Sequence, residues 1–64
     1  MKTTVIVSVY NRPAMLMACL RSLALSTRRV DEVVVSDDGS SADNVRRMQA
    51  AFPELPFPVC FVRQ

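Results

Sequence analysis

The sequence predicts an α/β fold in which three short parallel strands alternate with two helices. Three runs rich in β-branched and other apolar residues are separated by two stretches with helical periodicity. Strands joined by crossover helices run parallel, and such crossovers are almost always right-handed. The chain has 64 residues, whereas a typical domain has about 100–150. Residues 1–64 are therefore predicted to form a single partial domain.

The first strand and the first helix follow from the beginning of the chain. Residues 4–9, Thr-Val-Ile-Val-Ser-Val, are nearly continuous in apolar character, as in a strand that is buried on both faces of a parallel sheet. Pro13 suits the first turn of a helix, and Asn11 or a neighbour can cap that helix. A helix over about 13–25 would carry one apolar stripe. The stripe consists of Leu16, Leu20 and Leu23.

The second half of the chain repeats this order of elements. Residues 33–36, Val-Val-Val-Ser, predict a second buried strand, and the turn-forming residues 37–41 follow it. Residues 40–43, Ser-Ser-Ala-Asp, loosely fit a helix capping box. A second helix is predicted over about 42–52, and residues 59–62 predict the third strand. The apolar face of the second helix consists of Val45, Met48 and Phe52.

The order β-α-β-α-β has a consequence for the two faces of the sheet. Three strands added in one direction place both helices on the same face. The strands nevertheless have the composition of strands buried on both faces. The chain is therefore predicted to be half of a doubly wound, Rossmann-like sheet. The cover for the open face must come from the missing remainder of the domain or from another copy in a homo-oligomer.

Composition excludes several classes of function. The chain has no histidine, which excludes Cys/His zinc sites and Ser-His-Asp or Cys-His catalysis. The net charge is only +2, and the arginine pairs at 28–29 and 46–47 are predicted to be solvated surface. No nucleic-acid partner is expected, because nucleic-acid binders show a denser basic stripe with aromatic residues in it.

The two cysteines and the short apolar runs favour a location in the cytoplasm. Neither a targeting segment nor a run long enough to span a membrane is present. Cys19 and Cys60 are predicted to be reduced thiols in the core, which favours a cytoplasmic protein. The methionines predicted to serve as packing residues are Met15, Met17 and Met48.

Two polar segments follow the first two predicted strands, at residues 8–12 and 36–40. In an open parallel sheet, ligands bind outside the carboxyl ends of the strands, so both segments would line one rim. Tyr10 could stack on a nucleobase, and a neighbouring aspartate could accept a hydrogen bond from the base or the ribose. Arg12 could meet a diphosphate, and Gly39 would allow a tight turn.

Three segments carry a resemblance to a known family: Val5-Ile6-Val7-Ser8-Val9-Tyr10-Asn11-Arg12-Pro13, Leu20-Arg21-Ser22-Leu23 and Glu32-Val33-Val34-Val35-Ser36-Asp37-Asp38-Gly39-Ser40. Over nearly its whole length, the chain resembles the amino-terminal part of family 2 glycosyltransferases. The resemblance implies a GT-A fold that binds a nucleotide-diphospho-sugar. It also implies that Tyr10 packs on the base and that Asp38 contacts it. The full set of implied nucleotide-binding residues is Tyr10, Asp38, Ser8, Asn11, Arg12 and Asp37.

The same resemblance predicts which functions lie elsewhere. Members of the family bind Mg²⁺ or Mn²⁺ through an Asp-x-Asp motif on a later strand, and their catalytic base comes later still. Neither position falls within residues 1–64, so no catalytic residue, metal ligand or cofactor is assigned to this chain. The fragment is expected to supply part of the nucleotide pocket and to be inactive in sugar transfer by itself.

Two alternatives from other classes remain open at this point. The chain could act as a non-catalytic module that associates with itself through its open sheet face. The run Asp37-Asp38-Gly39-Ser40 also resembles the haloacid dehalogenase phosphatase motif, although Ser36 then stands where the nucleophilic aspartate belongs.

Overall fold

The computed structural model of the protein describes residues 2–64. It contains one sheet of three parallel strands in the order β1-β2-β3. The elements are β1 (Thr4–Val9), α1 (Pro13–Leu25), β2 (Glu32–Asp37), α2 (Ala42–Ala50), a short 3₁₀ helix (Phe52–Glu54) and β3 (Val59–Arg63). The predicted α/β fold, a Rossmann-like half sheet, is confirmed. Within residues 2–64, no helix is both long enough and apolar enough to cross a membrane.

Both helices pack on one face of the sheet. Leu16 and Leu20 from α1 and Met48 from α2 are buried in one cluster with the β2 residues Val33 and Val35. These β2 residues alternate with partly exposed neighbours, because successive side chains of a strand point to opposite faces. The hydrophobic cluster therefore fills the single layer between the helices and one side of the sheet.

The opposite face of the sheet has no cover within residues 2–64. Ile6 is 71% exposed there, and Cys60 and Val62 are exposed on the same face. The prediction that this chain alone covers only one face is confirmed. The prediction that Cys19 and Cys60 are core thiols is wrong: both are free and exposed. Cys60 points to the open face because it alternates with its partly buried neighbours in β3.

Both helices begin where the sequence predicts, at Pro13 and Ala42, but neither start is capped as predicted. Arg12, not Asn11, occupies the N-cap position of α1, and no side chain of the described residues caps that end. At α2 the N-cap is Ser41 and not Ser40, the first residue of the predicted capping box, and the Ser41 hydroxyl accepts a hydrogen bond from the Asn44 N–H. Helix α2 ends at Ala50, before the predicted end at about residue 52, because the chain there turns into the 3₁₀ helix that contains Pro53.

At the amino ends of the strands, polar side chains join β1 to β2. The Thr4 hydroxyl donates to the Glu32 carboxylate at 2.8 Å, and the Lys2 ammonium lies 3.2 Å from the same oxygen. The hydrogen bond from Thr4, together with the nearby Lys2, lowers the pKa of Glu32 below its ordinary value. This end of the sheet is remote from the polar loops that follow β1 and β2.

Helix α1 offers a matched test of the core. Leu20 is fully buried, whereas Leu25 on the same helix is 85% exposed. Leu20→Ala should lower the free energy of unfolding by about 2–5 kcal/mol, which is enough to unfold a marginal chain. Leu25→Ala should change it by less than about 0.5 kcal/mol. Urea denaturation followed by circular dichroism measures both, and equal losses would contradict the assigned packing.

Candidate functional site

The loops that follow β1 and β2 emerge side by side. In the parallel register, Val9 at the end of β1 lies opposite Asp37 at the end of β2. One residue further, the Asp38 N–H donates to the Val9 carbonyl at 2.9 Å. The expectation that the polar segments 8–12 and 36–40 line one rim of the sheet is therefore confirmed.

A shallow cleft of about 280 Å³ lies at this rim. Tyr10 is 57% exposed in it, and the Asp38 side chain is exposed beside it. The cleft thus presents an aromatic ring and a carboxylate to the same space. Its lining residues are Ser8, Val9, Tyr10, Arg12, Met15 and Asp38. Four of the six sequence-predicted site residues are among them.

The other two predicted residues do not line the cleft, and Asp37 is the clearest case. Its side chain is fully buried. Its carboxylate accepts hydrogen bonds from the Ser40 N–H, at 3.1 Å to one oxygen, and from the Ser40 hydroxyl. The Arg63 guanidinium lies 3.5 Å from it. These partners satisfy a carboxylate that would otherwise be costly to bury, and they hold the turn after β2.

Asn11 connects the two loops. Its backbone φ of +49° lies in the left-handed region, where asparagine is tolerated better than most residues. Its N–H donates to the Ser40 hydroxyl oxygen at 2.7 Å, and its side-chain oxygen accepts from the Ser41 N–H at 2.8 Å and from the Asn44 amide at 3.2 Å. Asn11 is therefore occupied in joining the loop after β1 to the start of α2.

Sequence reasoning missed three residues that shape this rim. Ser40 receives the Asn11 N–H and donates to Asp37, Arg63 donates to the Ser40 carbonyl at 2.9 Å, and Met15 lines the cleft. Only Ser40 had a signal in the sequence, because an aspartate followed three residues later by serine is typical of a side-chain-capped turn. Arg63 and Met15 reach the rim through tertiary structure.

The electrostatics of the cleft combine both signs of charge. Arg12 is exposed at the start of α1, where the backbone dipole is positive, and the first turn of α1 has no acidic residue. Asp38 contributes the negative charge. Such an arrangement suits a flat polar ring that carries an anionic tail, with the ring near Tyr10 and the anion near Arg12.

The divalent metal that the family resemblance implies does not fit the residues present. Within residues 2–64, no three His, Cys, Asp or Glu side chains form a group that could hold a metal ion. Asp37 is buried against Ser40 and Arg63, and Asp38 is the one acid among the described residues that line the cleft. We therefore derive no metal-dependent step from this rim.

Ser40→Ala tests the internal hydrogen bonds of the rim. The substitution removes a donor to the buried Asp37 carboxylate and the acceptor of the Asn11 N–H. We expect a loss of about 1–3 kcal/mol in the free energy of unfolding, because a buried hydrogen bond to a charged carboxylate is lost while its partners Ser40 N–H and Arg63 remain. Ser22→Ala, at an exposed position of α1, is the control and should cost under about 0.5 kcal/mol. Indistinguishable denaturation curves for the two variants would contradict the network.

Comparison with known proteins identifies the family. A search of curated proteins and a search of solved structures each give no significant match. A family model, glycosyl transferase family 2, matches residues 4–64. This match includes both rim segments, and it assigns the turn at residues 37–40 to this family rather than to the haloacid dehalogenase-like phosphatases. The chain belongs to glycosyl transferase family 2.

Proposed function

We propose that the rim cleft binds the nucleotide of a nucleotide-diphospho-sugar, the donor of a glycosyl transfer reaction. One observation carries the proposal: Tyr10 and Asp38 come from the ends of two adjacent parallel strands and line the same cleft. The carboxyl ends of the strands are where open α/β sheets bind ligands. Membership of the family supports the choice of a sugar nucleotide as the ligand.

The exposed ring of Tyr10 supplies a stacking surface for the base. Stacking of this kind contributes about 1–3 kcal/mol per base. The Asp38 carboxylate would accept a hydrogen bond from a ring N–H or from a ribose hydroxyl. Its backbone N–H is held by the Val9 carbonyl, so the carboxylate is presented from a fixed point of the rim.

The remaining predicted residues divide into two groups. Arg12 lies at the amino end of α1 and would face the diphosphate, while Ser8 lines the cleft on the β1 side. Asn11 and Asp37 would act by positioning, because their polar atoms are engaged with Ser40 and its neighbours. We thus assign ligand contact to the four cleft residues and support to the other two.

The transfer step itself would require groups that residues 2–64 do not supply. A divalent cation would offset the diphosphate charge, and a general base would deprotonate the acceptor hydroxyl in an inverting reaction. We therefore propose that this chain binds donor nucleotide and is inactive in sugar transfer by itself. We also propose that the protein works in the cytoplasm, where exposed thiols such as those of Cys19 and Cys60 stay reduced.

Calorimetric titration of the 64-residue chain with UDP, GDP, CDP and ADP tests the binding proposal. We expect saturable binding of at least one nucleotide. Tyr10→Ala should weaken it by about 5- to 150-fold, equivalent to the loss of about 1–3 kcal/mol of stacking. Asp38→Asn keeps the shape of the side chain but removes its charge, and it should weaken binding as well.

Asp43→Ala is the matched control for Asp38→Asn. Asp43 is an exposed acid of α2 that pairs with Arg46 and does not line the cleft, so nucleotide affinity should stay within twofold of wild type, about 0.4 kcal/mol. If no nucleotide gives saturable heat at millimolar concentration, the binding proposal is wrong. If all three variants weaken binding equally, the ligand does not occupy this cleft.

The open sheet face supports a second proposal, self-association. Ile6, Cys60 and Val62 expose apolar surface there, and a second copy could cover it. Sedimentation velocity should show a concentration-dependent dimer, and Ile6→Lys should shift the population to monomer because it buries a charge in the interface. Leu25→Lys alters an equally apolar exposed site on α1 and should leave the dimer intact. A monomer at every concentration would rule out self-association.

A further inference from the structure

Met15 of α1 points toward solvent and not into the core. The sequence predicts a packing role, but the side chain is 54% exposed and lines the rim cleft together with Tyr10 and Asp38. Its backbone is well fixed, since Pro13 begins the helix and Leu16, the next residue after Met15, is fully within the core. A flexible apolar side chain thus extends from a rigid helix turn into the proposed ligand site.

We propose that Met15 contacts the nucleobase and determines how large a base the cleft accepts. This inference rests on the proposed nucleotide-binding function. It assigns to Met15 a role in base selectivity, which neither Tyr10 nor Asp38 can supply. Met15 would act through van der Waals contact of its thioether with the base.

The hydrogen bond to Asp38 and the stacking on Tyr10 do not distinguish a small base from a large one. Uracil and guanine both offer a ring N–H to a carboxylate, so Asp38 cannot by itself separate a pyrimidine from a purine. Stacking on Tyr10 does not discriminate between bases either, because every base has a π-face. The discrimination by size then depends on the walls of the cleft.

Met15 is the wall residue best placed to limit size. Of the remaining lining residues, Ser8 is small, Val9 is buried in the core, and Arg12 carries the charge suited to the diphosphate. Met15 alone among them combines a long apolar side chain with exposure in the cleft. Thioethers also make favourable contacts with aromatic rings and adapt to irregular gaps.

The test compares the affinities of UDP and GDP in wild type, Met15→Ala and Met15→Leu. Met15→Ala makes room for the larger base and removes the thioether contact with the smaller one. The affinity ratio of GDP to UDP should therefore rise by about 2- to 10-fold, the value of the one sulfur–aromatic contact that UDP loses. Met15→Leu keeps most of the volume and should stay within twofold of the wild-type ratio. The affinity for inorganic pyrophosphate should not change in either variant, because Met15 would contact only the base.

Leu25→Ala is the control, since Leu25 is an exposed apolar residue at the other end of α1. This variant should leave the affinity ratio of GDP to UDP unchanged. A methyl NMR titration gives an independent readout: the Met15 methyl resonance should shift on addition of nucleotide, while that of the buried Met48 stays in place. If Tyr10→Ala weakens binding but the GDP to UDP ratio of Met15→Ala equals that of wild type, the size-selection proposal is wrong and nucleotide binding stands. If the ratio rises in Met15→Ala but pyrophosphate affinity falls as well, Met15 acts on the structure of the whole cleft and the proposal is also wrong. Absence of any nucleotide binding overturns both proposals.

Discussion

The hydrogen bonds around the buried Asp37 carboxylate hold the rim of this sheet together. Ser40 donates to Asp37 through its N–H and its hydroxyl, and the hydroxyl oxygen accepts from Asn11. One carboxylate at the end of β2 thereby connects the turn before α2 with the loop after β1. Because a buried charge without partners is expensive, the loops are constrained to the conformation that satisfies it. The buried hydrogen bonds therefore also fix the distance between the exposed residues that line the cleft.

The two adjacent aspartates have opposite environments for a simple geometric reason. Asp37 continues the alternation of Val33 and Val35 on the helix-covered face of β2, so its side chain points inward. Asp38 follows the end of the strand and is exposed at the cleft. A pair of acids at a strand end can thus divide two tasks, with the first holding the turn and the second facing the ligand. This division favours Asp38 as the ligand-contacting acid and Asp37 as its support.

Local pattern was sufficient to predict the three strands and the two α-helices, and tertiary contacts explain much of what it missed. The bounds of α1 follow from Pro13 and the leucine stripe, and they match the structure. The cap of that helix could not be predicted from local pattern. The side-chain oxygen of Asn11 accepts hydrogen bonds from Ser41 and Asn44, some thirty residues away, and so does not cap α1. Similarly, residue type alone placed Met15 among the packing residues, whereas the cleft that Met15 lines exists only once the two loops are brought together.

The last strand completes the rim as well as the sheet. Arg63 at the end of β3 lies 3.5 Å from the Asp37 carboxylate and donates to the Ser40 carbonyl, and the following N–H, that of Gln64, donates to the Asp37 carbonyl at 2.8 Å. The buried carboxylate therefore receives its positive partner only after β3 has docked against β2. Residues distant in sequence from the cleft thus fix the turn that presents Asp38. Formation of the rim cleft and closure of the three-stranded sheet are consequently coupled, because both require the buried Asp37 carboxylate to have its partners.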